Sequence, residues 1–318
     1  MDRRRFLKVG GAATLGLAFG GCAPGIVAQR APRRAPVTLY PVEVSMDRII
    51  RTTVGLRPSR ESGFRLDAER FDEKTVIHNF GHGGAGMSLS WGTGQLAAEY
   101  ALSHEDRRAA VIGCGIVGLT TARQLQRRGF DVTIYAKALP PYTTSNMSFA
   151  SFTPTSGLVS HRTPAWDGMF RRAVEIAYRE HQLLVGRDYG VSWIDSYSTT
   201  NNPDSGGGAR DDDGPSRLLP ASVELGGVLL GPGEHPFDTV YARRTQTLRF
   251  EPSIYLEALM RDVLAFRGDI QVREFESITQ LMDLSERLIV NCTGLGAKDL
   301  FGDEELTPVK GQLVVLPP

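Results

Sequence analysis

Cysteine is scarce in this chain. Cys22, Cys114 and Cys292 are its three cysteines in 318 residues, and their unrelated spacings make neither a disulfide framework nor a zinc site. No metal site is expected. An excess of charge of one sign is missing too: Lys plus Arg and Asp plus Glu number 36 each, so the footprint of a nucleic-acid binder is absent and no such partner is expected. Nor does the N-terminal apolar stretch, residues 9–21, reach the length of a span; it is short and rich in glycine. What is present is ordinary for a globular protein, 41% hydrophobic and 23% charged, and long enough for two modest domains that share a core.

The chain is organised around residues 109–137. Ala109-Ala110-Val111-Ile112 is a short apolar run suited to a buried parallel strand, and Gly113-Cys114-Gly115-Ile116-Val117-Gly118 follows it at once. Ile116, Leu119, Ala122 and Leu125 then recur at helical spacing, Gly129 supplies a stop, and residues 131–135 read as a second strand. That strand–turn–helix–strand unit has the length a dinucleotide-binding crossover needs. Its glycines serve a tight turn, a close approach to pyrophosphate and close helix–strand packing, while the helix N-terminus offers free amides to phosphate. The bland alternative is a glycine-rich turn with no ligand.

The N-terminus has a character of its own. Arg3, Arg4, Arg5 and Lys8 face Asp2 alone within the first 28 residues. Asp2-Arg3-Arg4-Arg5-Phe6-Leu7-Lys8 resembles a twin-arginine export signal, with residues 9–21 as its apolar stretch. The protein is therefore expected to be exported folded, to the periplasm, the medium or the cell surface. Phe19-Gly20-Gly21-Cys22 loosely resembles a lipobox, so a lipid anchor at Cys22, the one membrane contact expected, competes with cleavage after Ala28. Residues 30–36 read as a linker.

Elsewhere the pattern suggests strands at 37–44 and 75–80, the latter leading into Gly81-His82-Gly83-Gly84-Ala85-Gly86. Five small residues in six imply a close backbone approach, and His82 by itself reads as a structural histidine. A helical stretch is expected over 94–102 with Leu96, Ala97, Tyr100 and Ala101 available for burial, then a polar connector at 103–108. An amphipathic helix is expected over 167–185, on Phe170, Val174, Ala177 and Leu184, a strand over 190–195 and a flexible loop over 201–216. Pro252 and Ser253 open a further helix, with Leu256, Leu259, Met260, Val263 and Leu264 as core and Gly268 as its end. Strands over 270–275 and 288–290 follow. Cys292, Thr293 and Gly294 close the last of these, at the edge where open parallel sheets bind ligands; Cys292 reads as a packed residue, not a nucleophile.

Several of these stretches carry a resemblance. Gly55-Leu56-Arg57-Pro58-Ser59-Arg60, Val76-Ile77-His78-Asn79-Phe80-Gly81-His82-Gly83-Gly84, Gly86 and Trp91-Gly92 resemble the C-terminal signature of the D-amino-acid oxidase family. Gly113 to Gly118 and Tyr142-Thr143-Thr144-Ser145 resemble its N-terminal flavin motifs, and Val290-Asn291-Cys292-Thr293-Gly294 and Lys310-Gly311-Gln312 its central ones. Their order is not the family's, since the closing signature precedes the dinucleotide motif, as a circular permutation would produce. The resemblance implies an α/β fold: an FAD-binding, Rossmann-like parallel sheet with a smaller α+β substrate domain. The expected divisions are 1–35 signal and linker, 36–60 a strand segment with the arginine motif, 61–160 the FAD-binding core, 161–287 mainly the substrate (cap) domain, and 288–318 a return to the core. The substrate-domain strands that follow Lys-Gly-Gln in the family, and supply its closing tyrosines, are recognisable neither after Gln312 nor in 37–53. The chain thus reads as a fragment or as having an incomplete pocket.

The implied reaction is oxidation of a D-amino acid by hydride transfer to flavin N5, with dioxygen as acceptor, giving a 2-oxo acid, ammonia and hydrogen peroxide. Arg57 is the implied carboxylate clamp, since a planar guanidinium matches a carboxylate. Taken alone it is a solvated arginine in a proline turn. Gly84 is implied beside the reacting centre, and Gly83, Gly84, Gly86, Met87 and Ser88 along the flavin. The implied cofactor residues continue with Gly113, Gly115, Ile116, Val117, Gly118, Ala136, Lys137, Thr143, Thr144, Ser145, Ala150, Phe275, Cys292, Thr293 and Gly294. For Thr143 to Ser145 the alternative is a turn that bonds to itself. Two positions depart from the pattern: Lys137 stands where a ribose-binding carboxylate is usual, and Ala150 where glycine is usual. A degenerate FAD-binding protein, or a related dehydrogenase with a non-oxygen acceptor, remains open.

Overall fold

Continuous apolar runs decide the centre of the molecule. In the computed structural model, which describes residues 39, 42–159, 161–203, 218–223 and 226–317, β4 (Arg108–Ile112) and β10 (Leu288–Asn291) lie side by side, and from Ala109 onward every residue of both is buried. Strands covered on both faces need such runs. Around them forms a six-stranded sheet in the order β2-β3-β10-β4-β5-β9. β3 (Lys74–Phe80), β5 (Asp131–Ala136) and β9 (Asp269–Val272) run parallel to the central pair, and β2 (Arg65–Phe71) closes one edge antiparallel to β3.

One face is covered by α1 (Gly86–Ala101) and α2 (Ile116–Gln126), with α3 (Pro164–Leu184) against α1 and α4 (Pro252–Ala265) against α2. Ile77, Val111 and Val290 of the sheet meet Leu89, Leu119 and Leu125 there. Burying each such side chain contributes about 1.5–3 kcal/mol. α1 and α3 approach so closely at Gly92 that a Cβ there would lie 1.9 Å from the Ala173 carbonyl oxygen. The other face packs Val76, Ala110, Ile112 and Ile289 on Phe275, Leu284 and Leu281 of α5 (Ile278–Met282). Two smaller sheets complete the fold. β1 (Arg51–Ser59) pairs antiparallel with β11 (Thr307–Val315), which follows α6 (Gly296–Phe301); β6 (Val191–Thr200), β8 (Tyr241–Phe250) and β7 (Gly227–Leu230) form the other, in that order.

The crossover is found where the sequence puts it. α2 ends in a turn whose Gly129 has φ +81°, with Phe130 N donating to the Leu125 carbonyl, the hydrogen bond of a helix stop that favours glycine. Other expectations need correction. Residues 39 and 42–44 are not in a strand, and the rest of 37–44 lies outside the described residues, as do 1–36 and 204–216 of the expected loop. The helix expected from 94 begins at Gly86, because the glycines at 92 and 94 serve close packing on Ala173 and Thr121 and do not break it. α3 starts earlier than expected, at Pro164, with Thr163 Oγ1 capping Trp166 N at 3.1 Å. β6 runs on to Thr200, since β8 offers partners along its whole length. Leu264 is exposed rather than core, and it is Arg267, at φ +64°, that turns the end of α4; Gly268 is instead pressed against Val263, 2.7 Å from a Cβ placed there. β9 stops at Val272, short of 275, and belongs to the six-stranded sheet, while β11 pairs with β1.

Candidate functional site

The parallel strands β3, β10 and β4 end on one edge of the sheet. β4 sends the chain to β5 on one side while β10 lies on the other, which is the kind of strand reversal that opens a crevice in such sheets. Gly113 has φ +113°, and a Cβ on it would lie 2.5 Å from the Cys292 carbonyl oxygen; one on Gly118 would lie 1.9 Å from the Gly113 carbonyl. Both positions therefore exclude side chains by contact with backbone. Gly115 is different: a Cβ there would meet only Ser145 Oγ, at 3.1 Å, and is otherwise in open space. An approach left open at the middle glycine, beside a helix N-terminus, fits a dinucleotide pyrophosphate.

The loop after β5 folds over this turn. Ser145 Oγ accepts from Ile116 N at 3.0 Å, so the first helical amide is engaged by Ser145, while Thr143 Oγ1 donates to Asn146 Oδ1 at 2.8 Å. Thr144 opens the short 3₁₀ turn Thr144–Met147. Beyond Ala136, the last residue of β5, the Lys137 ammonium lies 3.4 Å from Glu274 Oε1, both exposed. Phe275 is packed beneath β5 on Tyr135. Ala150 is left-handed, φ +57°, and held so by its carbonyl, which accepts from Phe250 N (2.9 Å) and Arg249 Nη1 (3.2 Å). Ser88 Oγ accepts from Thr153 N at 2.8 Å, tying the start of α1 to the same segment. The Ser88 amide itself is spent on Ala85 O, 3.0 Å away, and Ala85 N on His82 O.

The histidine-bearing loop reaches the same place from β3. A Cβ on Gly86 would lie 3.7 Å from Ile116 Cγ2 and 3.9 Å from Val117 Cγ2, so this loop flanks the dinucleotide turn. His82 is buried, its Nε2 3.1 Å from Thr93 Oγ1, and desolvation lowers its pKa to about 4; it is a neutral structural residue. Cys292 and Cys114 are also buried, and desolvation drives both thiols up to about 12, the opposite of an activated nucleophile.

β1 is docked onto this loop. Gly83 N donates to the Pro58 carbonyl at 2.8 Å, and Ser59 bridges to His82. Arg57 is thereby placed between two glycines, with Cδ 2.9 Å from a Cβ on Gly84 and Nη2 3.2 Å from one on Gly311. Pro58 lies 3.9 Å from a Cβ on Gly294. Arg57, Gly84, Gly294 and the Gly113 turn thus come together, whereas Phe275 and Lys137 stand apart on the β5–β9 side. One element was not visible in the sequence. Arg60 is buried, its Nε donating to Asp303 Oδ2 at 3.1 Å and its Nη1 to the Gly63 carbonyl at 2.8 Å, with Glu305 3.4 Å from Nη2. These partners are 243 positions or more away or are backbone, and no local signal marks them. A groove of about 530 Å³ beside this latch and another of about 900 Å³ between β2, α1 and α3 are lined by neither Arg57 nor the glycine turn.

Comparison with known proteins follows the same lines. Residues 3–100 and 108–318 match a family described as FAD dependent oxidoreductase. The chain is 28% identical over 211 residues to a D-amino-acid oxidase of Streptomyces coelicolor (66% of this chain, 59% of that one) and 27% identical over 215 residues to the human D-aspartate oxidase (65% and 59%). It therefore spans about three-fifths of the length of these relatives. Among solved structures it is similar to the L-amino acid deaminase from Proteus vulgaris, with a TM-score of 0.40 and 16% identity, covering 52% of this chain and 40% of that one.

Proposed function

The chain belongs to the FAD dependent oxidoreductase family, and on that premise we propose that it oxidises D-amino acids to 2-oxo acids, with release of ammonia and hydrogen peroxide. Bound FAD supplies the two-electron acceptor. The protein's part is placement. Gly115, Ile116, Val117 and Gly118 would hold the pyrophosphate, with Thr143 to Ser145 beside it and Lys137 with Glu274 towards the nucleotide end. The Gly83–Gly86 loop, Ala150 and the Thr293-Gly294 turn would border the flavin end. The observation that carries the reading is Arg57, whose guanidinium stem lies against Gly84 at the edge of the glycine cradle. A planar guanidinium there would take an amino-acid carboxylate bidentately.

Motif order is read here as a circular permutation. In support, residues 102–107 suffice to carry the chain from α1 to β4, and Arg51 of β1 is paired with Val315 of β11. The arginine triplet Arg3-Arg4-Arg5 supports export of the folded protein. A second reading, an FAD-binding protein without a complete substrate pocket, draws on the exposure of Arg57 and on β1 being the one strand paired with β11 among the described residues. Reconstitution separates the two. The D-amino-acid reading expects yellow protein that releases peroxide with D- but not L-amino acids. Arg57→Ala is expected to weaken binding of a simple carboxylate about 30-fold with FAD affinity unchanged. A yellow protein bleached by no D-amino acid under anaerobic conditions supports the second reading, and a colourless one removes both.

A further inference from the structure

β3 carries a second imidazole that the glycine cradle does not touch. His78 is fully buried, edge-on to Phe80 (5.8 Å) and to Phe301 of α6 (5.0 Å). Its two nitrogens face different partners. Nε2 is 3.2 Å from Glu69 Oε2 on β2, and Nδ1 is 3.1 Å from Asn291 Nδ2 on β10, the residue directly across the parallel pair. The Asn291 amide has its orientation set from its other end. Its Oδ1 accepts from Thr293 N at 3.2 Å and from Thr293 Oγ1 at 2.7 Å, which leaves its NH₂ facing the imidazole. An NH₂ group only donates, so Nδ1 must be bare, and the ring proton sits on Nε2, where the Glu69 carboxylate accepts it.

Burial is the largest influence on this imidazole and lowers its pKa. Arg65 pushes the same way, while Asp67 and Glu69 oppose it; α6 and β10 face it with Phe301 and neutral Asn291. The ring is therefore held neutral as well as oriented. Downstream, Thr293 and Gly294 (φ +60°) turn the chain at the end of β10. That turn is wedged between two parts of the candidate site, with the Cys292 carbonyl against Gly113 and Gly294 against Pro58.

We propose that His78 is a positioning residue for the cofactor site: as its Nε2–H tautomer it orients the Asn291 amide, and through that amide it holds the Thr293-Gly294 turn against the Gly113 turn. The proposal rests on the reading of that site as the FAD site. A packing role alone would not depend on which nitrogen carries the proton, or on an acceptor facing Asn291.

The test measures FAD binding by flavin fluorescence together with the tautomer by nitrogen NMR of histidine-labelled protein. His78→Leu fills space but leaves the Asn291 NH₂ group unpaired, and is expected to weaken FAD binding about tenfold. His78→Asn places a carbonyl oxygen near the Nδ1 position and is expected to return binding to within about threefold of the starting protein. The tautomer is read on the unaltered protein, so it does not depend on any variant folding: a protonated Nε2 and bare Nδ1 support the role. A proton on Nδ1 overturns it, as do equal FAD affinities in the unaltered protein and both folded variants. Where the unaltered protein binds FAD and the variants match it, the positioning role falls alone. Where the unaltered protein binds no FAD, the functional reading falls and takes this role with it.

Discussion

The six-stranded sheet and the β1–β11 ribbon meet at the candidate site and are held by different means. β10 is buried along its whole length and β4 from Ala109 onward, and Gly113 and Gly118, which follow β4, are fixed by backbone contacts. In the ribbon most residues are exposed, including Val54, Leu56, Val309 and Val314. It is fastened at one end by the Arg60 latch and by the Pro58 and Ser59 contacts to the histidine loop. The cofactor half is thus preorganised by packing, while the half that carries Arg57 depends on a few polar joints. Segments with few buried apolar contacts open at lower cost than the core.

The sharpest way to break this comparison is Asp303→Ala. It strips the buried Arg60 of its best partner, both side chains being at most 10% exposed, and is expected to cost about 3–5 kcal/mol. Chemical unfolding followed by fluorescence measures the loss, and hydrogen exchange should localise it to β1 and β11; a loss spread evenly over the sheet would erase the distinction. Acid tests the joint next. The unfolded chain protonates His82 near pH 6.5 and the folded one near 4, so between these values the unfolded state binds more protons and stability rises with pH. On the order of 3 kcal/mol present above pH 6.5 is lost as pH falls through about 4. His181, lowered to about 3, adds to the same slope. Urea midpoints between pH 7 and 4 give the curve, which His82→Asn should flatten.

Glycine substitutions sharpen the contrast within the sheet half. Gly118→Ala and Gly92→Ala both drive a Cβ to 1.9 Å from a backbone oxygen, and each should cost about 2 kcal/mol in thermal unfolding. Only the first is expected to abolish FAD binding. Similar FAD affinities in the two variants would detach the Gly113 turn from the cofactor. The smallest effect is expected at Ala150, whose left-handed backbone suits glycine. Ala150→Gly should raise stability by about 0.5 kcal/mol, strain relief slightly exceeding the entropy it adds to the unfolded chain; calorimetry measures it.

What was legible in the chain divides along the same line. Gly118 and Gly129 were readable because their roles depend on neighbours within one strand–helix–strand unit; Gly113 was readable by its place in the turn, while the Cys292 carbonyl that also excludes a side chain there comes from β10. Leu264 has the spacing of a core residue yet is exposed, because apolar spacing identifies a helical face but not where its neighbours stop covering it. Gly268 has the place of a helix stop, yet closeness to Val263, not backbone conformation, requires a glycine there.

By itself the sequence determined the crossover, the buried strands and the composition of the cradle, because alternation, apolar runs and glycine chemistry act over a few residues. Only the tertiary structure decided that Arg57 lies against Gly84, that Arg60 is latched by a carboxylate 243 positions away, and that Glu69, His78 and Asn291 meet from three strands. Strand order and register bring those side chains together, and neither is written in the local pattern of the strands they join.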